Sequence, residues 1–176
     1  INWHDVESAA KELERCLKLG FGGLFVPPET VGMNRPGQAH FDPIWRLLAE
    51  AGLPGCLHVI VRFEGSARPF AEWALTGPGP VFGFSLGATG QLIPAAASMV
   101  LDGLFERFPT LKIVCVEAGC GFAAYLMDRL DEKYHFFKSM VPLPMKPSDY
   151  IRRNMYFVAE PEERTINAML ELVGED

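Results

Sequence analysis

Two residues of this chain stand where chemistry is done in parallel α/β proteins. His58 closes the apolar run Gly55-Cys-Leu-His58, and Glu117 closes the longer run Leu111-Lys-Ile-Val-Cys-Val-Glu117. Polar groups at the carboxyl ends of buried parallel strands are where α/β barrels place their reactive residues. A neutral imidazole is a common ligand of divalent metals, and a carboxyl group at a barrel mouth suits general acid–base work. Each residue also has a plainer role open to it. An imidazole can be held inside a sheet by hydrogen bonds, and Glu117 can cap the turn that follows through the amides of residues 119–121. Strand alternation groups Cys56, His58 and Ile60 on one side of their strand. On the other strand it groups Ile113, Cys115 and Glu117.

Arg62 and Arg68 follow the histidine strand and could reach a substrate carboxylate; the competing assignment for both is surface arginine. His4, His40 and His135 read as solvated surface groups, and Trp45 and Trp73 as packing residues. The glycines at 83, 87 and 90 do not make a phosphate loop, because no Gly-Lys-Ser/Thr ending follows them.

The elements that position these groups alternate. Helical periodicity marks residues 5–19, with Asp5 placed to cap the start. Residues 21–26 are a short apolar strand stopped by Pro27-Pro28. Asp42-Pro43 is a cap followed by a first-turn proline, opening a helix that Gly52 closes. The histidine strand covers 55–61. A helix is expected over 91–104 with Pro94 in its first turn, and the glutamate strand covers 111–117. A long helix spans 122–137, a short one 148–153 and a strand 154–159. A last helix starts at Pro161-Glu-Glu and runs to Leu172. Strands separated by helices predict parallel pairing through right-handed crossovers. Four such units are half of an eight-stranded barrel or a small open sheet.

Composition narrows the partners. The 176 residues suffice for one domain with a core. A net charge of -6 argues against nucleic acid, which needs a basic face, and against anionic lipid. No apolar run is read as reaching the ~20 residues of a membrane helix, and the first residues carry no signal-peptide pattern. The four cysteines form no Cys-x-x-Cys pair and read as free thiols in a reducing cytoplasm.

Several blocks together resemble a known family. They include Leu101-Asp-Gly-Leu-Phe-Glu-Arg-Phe-Pro109, Glu117-Ala-Gly-Cys-Gly-Phe122 and Pro147-Ser-Asp-Tyr-Ile-Arg-Arg-Asn154, with matching stretches at 10–23, 41–54 and 171–176. Their order and spacing are similar to the aminocarboxymuconate-semialdehyde decarboxylase-like branch of the amidohydrolase superfamily, amidohydrolase family 2. The resemblance implies an α/β fold that is a partial (β/α)8 TIM barrel, about strands four to seven with their helices. Residues 1–176 would be a single domain truncated at both ends. It also implies a divalent metal ion in the complete enzyme, zinc first and manganese second. His58 would then be the strand-five metal ligand, and Glu117 the strand-six residue that moves protons. The strand-one and strand-eight ligand motifs of the family are absent from this sequence. The expected activity is metal-dependent hydrolysis or decarboxylation of a small organic acid or amide, in a cytoplasmic homo-oligomer. The contrasting expectation is a non-catalytic half-barrel that self-associates through its open strand edges.

Overall fold

The computed structural model describes residues 1–60, 72 and 75–174. Arg62, Arg68 and Trp73 lie outside the described residues. Among the described residues four strands, β1 (Leu24–Val26), β2 (Gly55–His58), β3 (Ile113–Val116) and β4 (Met155–Phe157), pair in parallel in sequence order. Helix α1 (Val6–Lys18) precedes β1, and α2 (Asp42–Ala51) lies between β1 and β2. Helices α3 (Pro80–Leu101) and α4 (Leu104–Arg107) lie between β2 and β3. Helices α5 (Phe122–Phe137) and α6 (Pro147–Asn154) follow β3, and α7 (Ile166–Val173) follows β4.

The strand register sorts the sheet into two faces. Leu24, Gly55, Ile113 and Met155 form one row, and Val26, Leu57 and Cys115 form the next; all are buried. The alternate rows hold Phe25, Cys56, Val114 and Tyr156, then His58 beside Val116. None of these is fully buried, and Phe25 is 65% exposed. Residues paired across a parallel sheet point the same way. One face is therefore covered by helices, the other is open, and His58 belongs to the open face.

Aromatic packing anchors the covered face. Trp3 stacks on Phe41 with centroids 4.3 Å apart and meets Trp45 edge-on at 5.6 Å. The Trp45 indole donates to the carbonyl of Pro36 (2.9 Å). A Cβ on Gly55 would lie 2.9 Å from the Trp45 ring, so the first residue of β2 has to be glycine for α2 to pack this closely. Trp45 is a packing residue, as expected.

Asp42 departs from expectation. It lies inside α2 and makes no capping bond. Its carboxylate instead accepts from Arg107 Nε and Nη2 (both 3.0 Å), and that guanidinium also donates to the carbonyls of Asp102 and Gly37 (2.7 Å each). The planar fork matches a carboxylate better than a single helix amide does.

Helix α3 is the larger correction. It begins at Pro80, eleven residues before the expected start, and carries Pro94 in its interior. An interior proline costs about 3 kcal/mol. Burial of Leu92, Ala95, Ala96, Met99 and Val100 on the same helix offsets that cost. At 22 residues, α3 is also long and apolar enough to cross a membrane by length and composition, contrary to the expectation. Here it packs on α4, α5, α6 and β2.

The turn between β3 and α5 is held from a distance. The carboxylate of Glu163 accepts from the amides of Cys120 (2.9 Å) and Gly121 (2.6 Å) and from the Thr165 hydroxyl (2.7 Å). This engagement explains why α7 starts at Ile166 and not at Pro161. A side chain at 119 or 121 would press on this group: an added Cβ lies 3.0 Å from Glu163 oxygens at both, and Gly119 has φ +66°. Burial resists ionisation of Glu163 and is the largest single influence. The Cys120, Gly121 and Glu160 amides and the Thr165 hydroxyl together outweigh it and hold the carboxyl at about 2. A carboxyl depressed from its ordinary 4.5 stabilises the fold above that pH and loses the contribution as pH falls towards about 2. Glu163→Gln should cost about 1 kcal/mol at pH 7. It should also flatten the decline of stability between pH 4.5 and 2, read from urea midpoints across that range.

Candidate functional site

His58 ends β2 with one nitrogen committed. Its Nδ1 lies 2.8 Å from the carbonyl oxygen of Val59. A carbonyl only accepts, so Nδ1 carries the proton and Nε2 is left with a lone pair when the ring is neutral. Nε2 lies 3.3 Å from Glu117 Oε2. The edge of the ring meets Phe25 on β1, with centroids 5.2 Å apart.

Strict alternation would send Glu117 with Ile113 and Cys115 to the helix-covered face, away from His58. The structure does otherwise. Glu117 has φ +58°, the single positive value among the described non-glycine residues. A left-handed residue directly after the last strand position breaks the alternation, and the carboxylate emerges on the open face. The expected grouping of Glu117 with Cys115 is therefore wrong, and the backbone angle is the reason. Such a conformation costs a non-glycine residue about 1–2 kcal/mol and is concentrated at functional sites.

The capping role considered for Glu117 belongs to Glu163, which already takes the amides of Cys120 and Gly121. That leaves the Glu117 carboxylate, 61% exposed, to face the imidazole. Two acceptors 3.3 Å apart repel unless a proton or a metal ion sits with them, so this donor set suits a cation. Among the described residues no group of three or more His, Cys, Asp or Glu side chains could hold a metal ion. Each residue of the pair borders a different hollow. One, of about 310 Å³, is bordered by His58, Phe25, Ile60 and Trp3. The other, of about 300 Å³, is bordered by Glu117, Ser85, Thr89 and Glu160.

Cysteine chemistry does not compete. Burial pushes the Cys115 thiol up to about 12 and also raises Cys56 and, with help from Glu163, Cys120. A nucleophile or ligand needs the thiolate. The substrate-binding roles expected of Arg62 and Arg68 fall outside the described residues. Sequence reasoning missed Glu163, Phe25 and the α3 residue Thr89, whose hydroxyl donates to the Ala118 carbonyl (3.3 Å). Glu163 and Thr89 act across 42 and 29 residues, where no local pattern signals the contact.

The fold and the sequence can be set beside those of known proteins. The sequence profile of the family described as Amidohydrolase matches residues 2–171. A gamma-resorcylate decarboxylase from Polaromonas sp. (strain JS666) is 31% identical over 96% of this chain and 53% of its own length. An amidohydrolase from Mycobacterium avium subsp. paratuberculosis K-10 superposes with a TM-score of 0.81 at 25% identity, over 99% of this chain and 44% of that one. A dihydroxybenzoic acid decarboxylase from Polaromonas sp. JS666, solved with manganese and 2-nitroresorcinol, superposes with a TM-score of 0.74 at 28% identity. The match covers 97% of this chain and 53% of that one. The chain thus spans about half the length of the relatives it matches. The described sheet, its helices and the residues matched by the profile show that the chain belongs to the amidohydrolase family.

Proposed function

We propose that the complete protein is a divalent-metal-dependent carboxy-lyase acting on a small hydroxylated aromatic acid, with β1–β4 as strands four to seven of its barrel. The observation that carries this reading is the 3.3 Å approach of His58 Nε2 and Glu117 Oε2 at the ends of adjacent parallel strands, on the open face of the sheet. Decarboxylation is favoured over hydrolysis by the gamma-resorcylate and 2-amino-3-carboxymuconate-6-semialdehyde decarboxylases among the relatives. Manganese takes precedence over the zinc expected from the resemblance. It is the ion bound in two decarboxylase neighbours, and it suits oxygen-rich donor sets. The remaining ligands would come from outside the described residues.

A bound ion would fix and polarise the oxygen atoms of the substrate. His58 contributes Nε2, held ready because Nδ1–H is anchored on the Val59 carbonyl. Glu117, as the carboxylic acid, gives its proton to the ring carbon that bears the carboxylate. The carbon–carbon bond then breaks, its electron pair restores the aromatic ring, and carbon dioxide leaves. Solvent returns a proton to Glu117 through its exposed side.

A second reading applies to the 176 residues alone. Among the described residues the sheet ends in two open edges, β1 and β4, and its open face presents Phe25 and Tyr156. Pairing of two copies would cover both edges. The isolated chain should therefore elute as a dimer; a stable monomer would contradict this second reading.

In the full-length protein, His58→Ala should lose bound manganese by elemental analysis. Undiminished metal content would remove the ligand role. Glu117→Gln should keep the metal and lower kcat by about 10²–10⁴-fold. Turnover of a hydroxybenzoate in deuterium oxide should place one deuterium on the former carboxyl-bearing carbon.

A further inference from the structure

Gln91 is a polar residue in an apolar place. It lies on α3 beside Leu92 and Ala95 and is only 5% exposed. A buried carboxamide is tolerated when both its ends are hydrogen-bonded. Gln91 satisfies both on one residue: its Nε2 donates to the Ile60 carbonyl (3.0 Å), and its Oε1 accepts from the Ile60 N–H (3.3 Å). This is the pairing a neighbouring strand would offer. A side chain supplies it two residues beyond His58, where the ladder between β2 and β3 has ended.

The N–H of Ile60 and the C=O of Val59 belong to the same peptide plane, and in a trans peptide they point in opposite directions. Holding the N–H therefore aims the carbonyl. That carbonyl is the acceptor for His58 Nδ1–H at 2.8 Å. Gln91, the 59–60 peptide and the imidazole thus form one hydrogen-bonded line whose free end is Nε2, facing Glu117. Each bond in such a line polarises the next.

We infer that Gln91 is a positioning residue for His58: through the 59–60 peptide it sets the rotation of the imidazole and its Nδ1–H tautomer. The consequence for metal affinity rests on the ligand role proposed above; the consequence for the tautomer does not. A ring without this acceptor is free to carry its proton on either nitrogen. Partners that orient a metal-binding histidine are worth about 10–100-fold in affinity.

The test uses the full-length protein labelled with nitrogen-15 histidine. Tautomers are read by NMR in the metal-free form at pH 8 in a Glu117→Ala background, where no carboxylate competes for the ring proton, and manganese affinity is measured alongside with Glu117 intact. Gln91→Met retains length and apolar volume but removes both polar ends. It should turn a single Nδ1–H signal for His58 into a mixture and weaken manganese by about tenfold or more. Gln91→Asn, too short to reach Ile60, should do the same and serves if the methionine variant does not fold. Ser98→Ala removes a buried hydroxyl from the same helix that bonds Gly37 and Asp102 instead; it should leave the His58 tautomer unchanged. An unaltered His58 tautomer in a folded Gln91 variant overturns the inference, as does an equal loss in Ser98→Ala. A shifted tautomer with unchanged manganese affinity upholds the positioning role and overturns the ligand role of His58.

Discussion

The site depends on one backbone angle. β3 delivers its side chains alternately to the covered and open faces, and Cys115 has already gone to the covered one. Continued alternation would bury the carboxylate of Glu117 beneath the helices, where an unpaired charge is costly. The positive φ of Glu117 ends the strand and turns the carboxylate to His58. A local cost of about 1–2 kcal/mol thus sets two unlike acid–base groups side by side.

Strain of this kind persists only when its surroundings over-determine it. Downstream of Glu117, the Glu163 carboxylate grips the Cys120 and Gly121 amides, and the Thr89 hydroxyl bonds Ala118. Upstream, β3 is locked in register with β2 as far as Val116 opposite His58. The same helix that supplies Thr89 supplies Gln91 to the end of β2. α3 therefore braces both strand ends from above. This also accounts for a helix that runs on through Pro94 and buries a glutamine.

Much of this was legible in the sequence because it follows from local periodicity. The alternation of strands and helices, the limits of α5 at 122–137 and the strand-end positions of His58 and Glu117 all come from spacing. The rest was not, for separate reasons. Alternation sends Glu117 to the covered face because it presumes extended backbone, and nothing in Val116-Glu117-Ala118 announces a left-handed residue. The start of α3 differs because the Pro-Gly run that reads as a break ends in Pro80, which stands in the first turn, where a helix tolerates proline. Asp42 looks like a cap until Arg107, 65 residues away, claims its carboxylate. Glu163 looks like part of a helix start until the turn at Cys120 claims it. For Asp42 and Glu163 a distant partner outcompetes a local rule.

The most direct test is the unfolding stability of two variants at the turned residue, Glu117→Asn and Glu117→Val, in the full-length protein. Asparagine tolerates left-handed backbone, and a β-branched residue does not. The asparagine variant should be at least as stable as the native chain and the valine variant less stable by about 1–2 kcal/mol. The reverse order, with valine the more stable and asparagine the less, is what an ordinary strand position would give, and it would contradict the turned carboxylate on which the site depends.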